Sequence, residues 1–128
     1  MENRFEIQGN CLIIHLPKEV DHMVSDEIRK ESDEIIRRKY IRTITFDFSD
    51  TACMDSSGIG LIMGRYKKMH LTGRIAIVAP CRNVERILQI SGLYKIVTVF
   101  GELGEAIESC EVHDDQICAG GGRNNAKY

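Results

Sequence analysis

The chain has 128 residues, the size of one ordinary globular domain. Its 17 Lys and Arg residues nearly balance its 19 Asp and Glu residues, and the net charge of −2 argues against a dedicated nucleic-acid-binding protein. No apolar run approaches the ~20 residues that span a bilayer, and the N-terminus has no secretory signal pattern, so we expect a cytoplasmic protein.

The five cysteines agree with a reducing compartment, because their number is odd and they form no Cys-x-x-Cys pair or disulfide framework. They are Cys11, Cys53, Cys81, Cys110 and Cys118. A metal site could be imagined near the C-terminus, but the spacing there matches no zinc motif, so we expect neither a metal ion nor a disulfide. The side chains considered for that site are Cys110, His113, Asp114, Asp115 and Cys118.

The N-terminal third predicts a β-hairpin followed by a helix. Alternating apolar residues over 5–8 and 11–16 predict two strands around Gly9-Asn10, a turn whose residue types tolerate positive φ. Pro17 ends the second strand, because it has no N–H to donate to a neighbouring strand. From His22 to Lys39 apolar residues recur on one helical face, and basic residues collect near the end. That apolar face comprises Val24, Ile28, Ile35 and Ile36.

The rest of the chain alternates strands with helices. Residues 43–48, 74–79 and 96–100 have strand patterns, and the nearly continuous apolar run of the second is typical of a strand buried on both faces. Amphipathic helices are predicted from Ser57 to about residue 71, over 84–90 and over 103–110. The order β-β-α-β-α-β-α-β-α predicts an α/β fold, with a mixed sheet of about five strands, an N-terminal hairpin and about four helices.

The apolar pattern fades after about Glu111. We therefore expect a single domain over residues 1–111 and a flexible, Gly-rich C-terminal tail over residues 112–128.

The segment from Cys53 to Gly60 lies between a predicted strand and a predicted helix, where α/β proteins build their sites. One interpretation is purely structural: an Asp or Ser of this segment caps the helix, and its glycines permit close packing. In that interpretation Cys53 and Met54 pack beneath the loop. The candidate caps are Asp55, Ser56 and Ser57.

Three functional interpretations compete with a cap. A phosphate-binding loop is disfavoured, because the glycines from Gly58 to Gly64 miss the Gly-x-Gly-x-x-Gly spacing by one residue and Arg65-Tyr66 does not complete a Walker motif. A serine nucleophile is disfavoured, because the flanking glycines of a nucleophile elbow are absent and no histidine has a local signature. The histidines are His15, His22, His70 and His113. The third interpretation is a regulatory phosphoacceptor serine at an exposed helix start.

The same segment carries a family resemblance. The residues Met54-Asp55-Ser56-Ser57-Gly58-Ile59-Gly60, continued by Gly64-Arg65-Tyr66-Lys67, closely resemble the anti-sigma factor antagonists of the STAS domain family, of the sporulation and stress-response type. The resemblance extends over roughly residues 4 to 110 and includes Ser91-Gly92-Leu93-Tyr94-Lys95-Ile96. It implies a STAS-like mixed sheet with helices packed on one side and a phosphorylatable serine, Ser56, at the start of the second helix.

The resemblance also implies a partner switch without catalysis or a cofactor. The unphosphorylated protein would bind an anti-sigma factor that is also a serine kinase, which would free a sigma factor. Phosphorylation of Ser56 would end binding, a serine phosphatase would restore it, and ATP would be bound by the partner.

The resemblance implies a set of partner-binding residues around this serine. Asp21 precedes the first helix, where related proteins carry an aspartate that contributes to partner binding or phosphorylation, although a helix cap is an equally good explanation. Lys18 stands where relatives commonly carry glycine. The expected partner-binding residues are Asp21, Asp55, Ser56, Ser57, Gly58, Ile59 and Gly60.

Two rival functions remain. One is a small nucleotide-binding or phosphate-transfer enzyme that uses the Gly58–Gly64 loop, and the other is a scaffold or sensor-complex subunit with the same fold. We expect a monomer or weak dimer that contacts neither nucleic acid nor membrane.

Overall fold

The computed structural model describes residues 4–69 and 73–110. Its strands are β1 (Phe5–Gln8), β2 (Cys11–His15), β3 (Glu19–Val20), β4 (Thr43–Asp47), β5 (Cys53–Met54), β6 (Arg74–Val78) and β7 (Thr98–Phe100). Its helices are α1 (His22–Arg38), α2 (Ser56–Met69), α3 (Arg82–Ser91) and α4 (residues 103–110). The predicted tail, the cluster beyond Cys110 and the predicted end of the second helix at residues 71–72 lie outside the described residues.

Five strands form one mixed sheet in the order β1-β2-β4-β6-β7. The β1–β2 pair is antiparallel, and β2, β4, β6 and β7 are parallel neighbours joined through the helices. Gly9 in the hairpin turn has φ +62°, a conformation that glycine adopts without steric cost. The predicted mixed sheet with an N-terminal hairpin is confirmed.

The main core lies between one face of the sheet and helices α1, α2 and α3. Alternate residues of the central strands point into it, and each of the three helices contributes fully buried apolar side chains, so removal of this surface from water stabilises the layered arrangement. The sheet contributes Leu12, Ile14, Ile44, Phe46, Ile75 and Ile77, and the helices contribute Ile28, Leu61, Ile62, Val84 and Leu88.

The other face of the sheet is covered by α4. Cys11 and Ile13 of β2 form a second apolar cluster with Cys110, against which Leu103 and Ile107 pack. All five residues of β4 are therefore buried, even though polar and apolar side chains alternate along it. Helices pack on both faces, which corrects the one-sided packing that the resemblance implied.

The last strand is shorter than its apolar run suggests. Gly92 ends α3 in the left-handed conformation with φ +81°, as the Ser91-Gly92 stop predicts, and residues 93–95 then form a 3-10 turn. Strand pairing begins only at Thr98. Ile90, which the helical pattern suggested as a core residue, is 79% exposed.

A two-residue strand pair, absent from the sequence prediction, joins β3 to β5. The pair is parallel, with Val20 opposite Met54, and the N–H of Asp55 donates to the carbonyl of Val20 at 3.1 Å. Because each strand leads directly into a helix, this pair sets the first turns of α1 and α2 side by side. None of the helices within residues 4–69 and 73–110 has the length and apolar character that a bilayer span requires.

Candidate functional site

Asp21 caps helix α1. Its Oδ1 accepts a hydrogen bond from the N–H of Val24 at 3.0 Å, and its backbone carbonyl accepts from the N–H of Ser25 at 2.9 Å. The side chain satisfies one of the four N–H groups that a helix start leaves unpaired. The capping explanation for Asp21 is therefore confirmed, and the residue is also exposed next to the start of α2.

Asp55 has the same position before α2. Its Oδ1 accepts from the N–H of Ser57 at 2.9 Å and from the Ser57 hydroxyl at 2.5 Å. These hydrogen bonds, with a smaller contribution from the charge of His22, lower the pKa of the Asp55 carboxyl below its ordinary value. Asp55 is therefore an ionised, exposed cap, and of the three cap candidates it is the one that performs this role.

The two adjacent serines differ in environment. The Ser56 side chain is exposed at the first position of α2, and among the described residues its hydroxyl makes no hydrogen bond. Ser57 is half-buried and faces α1, where its Oγ lies 2.9 Å from the Oγ of Ser25. Only the Ser56 hydroxyl is directed freely toward solvent.

Gly58 and Gly60 serve different purposes in the first turns of α2. A Cβ on the buried Gly58 would lie 2.3 Å from Sδ of Met54, so glycine lets the helix approach β5 this closely without displacing the Met54 side chain. A Cβ on the exposed Gly60 would meet nothing within 4 Å. Between them, Ile59 is half-buried against the main core.

The structural role predicted for Cys53 and Met54 is half right. Met54 is buried in the main core beneath the start of α2. Cys53 is exposed, because successive side chains of a strand point in opposite directions and Met54 occupies the inward position. The prediction that Cys53 packs under the loop is wrong.

A shallow groove of about 170 Å³ runs between the first turns of α1 and α2. Gly60 contributes no side chain to the α2 side of this groove. Met23, on the first turn of α1, is exposed to solvent. The groove is lined by His22, Ser25, Asp26, Arg29, Ser57, Gly60 and Leu61.

The segment from Gly58 to Gly64 is not a phosphate-binding loop. It lies wholly inside α2, where the backbone N–H groups beyond the first turn are used within the helix. Arg65, which stands near the Walker lysine position, is only 2% exposed, and its Nη1 donates to Ser32 Oγ at 2.7 Å and to Asp33 Oδ1 at 2.6 Å. Arg65 therefore joins α2 to α1, and the loop proposed for the enzyme alternative is wrong.

Neither of the two histidines within the described residues, His15 and His22, forms a hydrogen bond with Ser56 or Ser57. His22 is exposed on the groove, while His15 lies in the sheet with Nδ1 2.8 Å from Asp47 Oδ2 and Nε2 2.9 Å from Glu6 Oε1. Partial burial alone would lower the pKa of His15, but the hydrogen bonds to Glu6 and Asp47 raise it above its ordinary value. His70 and His113 lie outside the described residues.

Ser25 is the residue of this site that sequence reasoning missed. It is 5% exposed on α1 and contacts Ser57 on α2, 32 positions away in the sequence. Ser25 lies on the buried face of α1 with Ile28 and Ser32. This placement does not identify its partner, because the contact with Ser57 depends on how α1 and α2 pack.

Comparisons with known proteins agree with this geometry. The STAS domain profile matches residues 4–106. The chain is 37% identical over 113 residues to the anti-sigma F factor antagonist of Paenibacillus polymyxa, across 88% of this chain and 97% of that protein.

Two solved structures are similar over most of their length. The structure of the anti-sigma factor antagonist SpoIIAA in its unphosphorylated form matches with a TM-score of 0.78 and 29% identity, over 84% of this chain and 94% of that one. The structure of the Bacillus cell fate determinant SpoIIAA in its phosphorylated form matches with a TM-score of 0.70 and 29% identity, over 83% and 96%. The resemblance first recognised in the residues from Met54 to Lys67 is confirmed: this chain belongs to the STAS domain family.

Proposed function

We propose that this protein is an anti-sigma factor antagonist whose binding is switched off by phosphorylation of Ser56. In its unphosphorylated form it binds an anti-sigma factor that is also a serine kinase, and so releases a sigma factor. The kinase phosphorylates Ser56, and a serine phosphatase reverses the modification. The observation that carries the proposal is the exposed, unengaged Ser56 hydroxyl at the start of α2, in a chain similar to an antagonist known in both phosphorylation states.

The helix start explains why the fold would tolerate the modification. A phosphoserine adds about −1.5 to −2 charges at pH 7. At the first position of α2 this charge lies at the positive end of the helix dipole, beside backbone N–H groups that favour anions. We therefore expect the phosphorylated domain to remain folded, with the change in binding arising at the interface.

The surface around Ser56 supports a switch based on charge. Two exposed carboxylates, Asp21 and Asp55, stand at adjacent helix starts beside it. A phosphate added there forms a compact anionic cluster that a partner must desolvate and oppose with cations. A tenfold loss of affinity needs only about 1.4 kcal/mol, which such a local change can supply.

The predicted partner-binding residues divide by exposure into two roles. Asp21, Asp55, Ser56 and Gly60 are exposed, so we assign direct contact with the anti-sigma factor to them. Ser57, Gly58 and Ile59 are half-buried or buried, so we assign to them the positioning of α2. Met23, 68% exposed on the first turn of α1, adds an apolar contact to the same surface.

The chain acts in this scheme as a ligand and a substrate, and the kinase supplies the ATP site. The helical conformation of residues 58–64 and the pairing of Arg65 with α1 support this assignment, because neither leaves a cradle for a triphosphate. No observation favours the enzyme alternative.

The proposal is tested by titrating the purified chain into a candidate kinase anti-sigma factor with bound ADP. Wild type, Ser56→Ala and Ser56→Asp are compared by calorimetry, and the phosphate formed with ATP is located by mass spectrometry. Ser91→Asp is the control for added charge, since it places the same charge at an exposed serine at the end of α3, and far-UV circular dichroism checks that this variant stays folded. Ser91 is remote from the candidate site. Asn83, near the start of α3, contacts Ala52 just before β5, and Ser91 lies about 12 Å further along the helix.

We expect wild type, Ser56→Ala and Ser91→Asp to bind alike, Ser56→Asp to bind at least about tenfold more weakly, and phosphate to occur on Ser56. Phosphate at another residue, or equal binding by the Ser56 and Ser91 aspartate variants, would contradict the proposal. In that case Ser56 would be only the first residue of α2.

A further inference from the structure

The proposed target segment contains two adjacent serines, and a contact with α1 distinguishes one from the other. Ser56 and Ser57 are chemically identical and neighbours in sequence, yet the half-buried Ser57 faces α1 and contacts Ser25 there. Burial and hydrogen bonding, rather than residue type, distinguish the two hydroxyls.

The donor and acceptor roles in this contact follow from the partners. The Ser57 hydroxyl donates its one proton to Asp55 Oδ1, so in the contact with Ser25 it must accept, and the Ser25 hydroxyl must donate. Ser25 is itself held in place, since it is buried and its N–H donates to the carbonyl of Asp21. The Ser57 oxygen is therefore engaged from two sides.

Phosphorylation requires a free oxygen lone pair. The serine oxygen attacks the γ-phosphorus of the ATP held by the kinase, the bond from that phosphorus to ADP breaks, and ADP leaves with the electron pair while the hydroxyl proton passes to a base. The Asp55 contact alone does not prevent this at Ser57, because a carboxylate that accepts a hydroxyl proton can also remove it. The Ser25 contact does oppose it, because it occupies one of the two lone pairs and holds the half-buried oxygen against α1, so that the remaining lone pair cannot turn freely toward the kinase.

We propose that Ser25 is a specificity-determining residue, which holds the Ser57 hydroxyl against α1 and so confines phosphorylation to Ser56. This inference rests on the proposed function, since it concerns the same kinase reaction. It adds that a residue outside the target motif, on a different helix, selects between the two serines of that motif.

The experiment measures the site and rate of phosphate incorporation in the full chain with the kinase anti-sigma factor and ATP. Four chains are compared: wild type, Ser56→Ala, the double variant Ser25→Ala with Ser56→Ala, and the double variant Ser91→Ala with Ser56→Ala. The last is the matched control, because it removes a serine hydroxyl from α3 rather than from the contact with Ser57. Fragmentation mass spectrometry distinguishes phosphate on residue 56 from phosphate on residue 57.

We expect phosphate only on Ser56 in wild type and very little on Ser57 in Ser56→Ala. Removal of the Ser25 hydroxyl should raise the rate at Ser57 at least about fivefold over Ser56→Ala, in line with the loss of one hydrogen bond. The Ser91 control should leave that rate unchanged. If Ser25 served only packing, its removal from the Ser56→Ala chain would leave the rate at Ser57 unchanged.

The contrary outcomes separate this inference from the proposed function. Rapid phosphorylation of Ser57 in Ser56→Ala with Ser25 intact, or equal Ser57 rates with and without the Ser25 hydroxyl, would overturn the role of Ser25 while leaving the switch at Ser56 in place. A wild-type chain that binds the kinase but carries no phosphate at either serine would overturn both.

Discussion

Replacing Gly58 with alanine tests how closely α2 must approach the strand that precedes it. The new Cβ would lie 2.3 Å from Sδ and 2.4 Å from Cγ of Met54, closer than nonbonded atoms can stand. Met54 is itself buried, so its side chain has little room to move aside. Gly60, two residues later in the same helix, is a matched control because an added Cβ there meets nothing within 4 Å.

The two substitutions share one energetic effect and differ in another. Exchange of glycine for alanine inside a helix stabilises by about 1 kcal/mol at either position. Overpacking of a well-filled core costs about 1–3 kcal/mol, and this cost applies at Gly58 alone. We therefore expect Gly60→Ala to raise the free energy of unfolding by about 1 kcal/mol. The free energy of unfolding of Gly58→Ala should be about 1–3 kcal/mol lower than that of Gly60→Ala.

The measurement is urea denaturation of both variants and wild type, followed by far-UV circular dichroism and analysed by linear extrapolation. Taking the difference between the variants cancels the shared helical contribution. If Gly58→Ala proves as stable as Gly60→Ala, the close approach of α2 to Met54 is not what requires glycine at position 58.

Three further changes have distinct expected outcomes. The hydrogen bonds that raise the pKa of His15 stabilise the fold fully below pH about 6.5, the pKa of an unfolded histidine. This stabilisation is lost as the pH rises through the raised pKa of the folded state. Urea denaturation from pH 5 to 9 should show that loss in wild type, and a His15→Gln variant with the same pH profile would contradict it. Arg65→Ala should lower the free energy of unfolding by about 1–3 kcal/mol, because the buried Ser32 hydroxyl loses its donor while Asp33 keeps Lys68 at 3.6 Å. Thermal denaturation measures this change, and a loss below about 0.5 kcal/mol would exclude a structural role. Asp21→Ala should cost about 1 kcal/mol through loss of the cap, whereas Asp21→Asn should keep the cap; weaker partner binding by Asp21→Asn at unchanged stability would support direct contact, and unchanged binding would limit Asp21 to capping.

Much of the fold follows from local patterns in the sequence. The hairpin turn at Gly9, the start of α1 at His22 and the end of α3 at Gly92 were each predicted from residues that act within a few positions of themselves. Strong strand and helix periodicity also gave the mixed sheet and its connections, because parallel strands joined by helices admit few topologies.

The parts that could not be predicted depend on contacts between distant segments. Strands β3 and β5 have two residues each, too few to show any periodicity, and they pair only because the chain around them folds. The burial of β4 on both faces follows from α4 packing on the second face, which its own alternation does not reveal. Cys53 and Ile90 are exposed for the same kind of reason, since tertiary packing decided which apolar side chains were covered.

The candidate site shows the same division. The motif identified Ser56 and its neighbours, and the structure adds that the cap is Asp55 and that the second serine is engaged by Ser25. The helix predicted from Ser57 already includes the Gly58–Gly64 segment, and packing against β5 and α1 holds this segment in the helix despite its three glycines.

The most direct test of the central claim is a displacement assay. A sigma factor is first bound to the kinase anti-sigma factor, and the fraction released is measured on addition of the unphosphorylated protein or of the same protein phosphorylated at Ser56. The account predicts that the unphosphorylated protein releases the sigma factor and that the phosphorylated protein, although still folded, does not. Equal release by both forms, or release by neither, would contradict it.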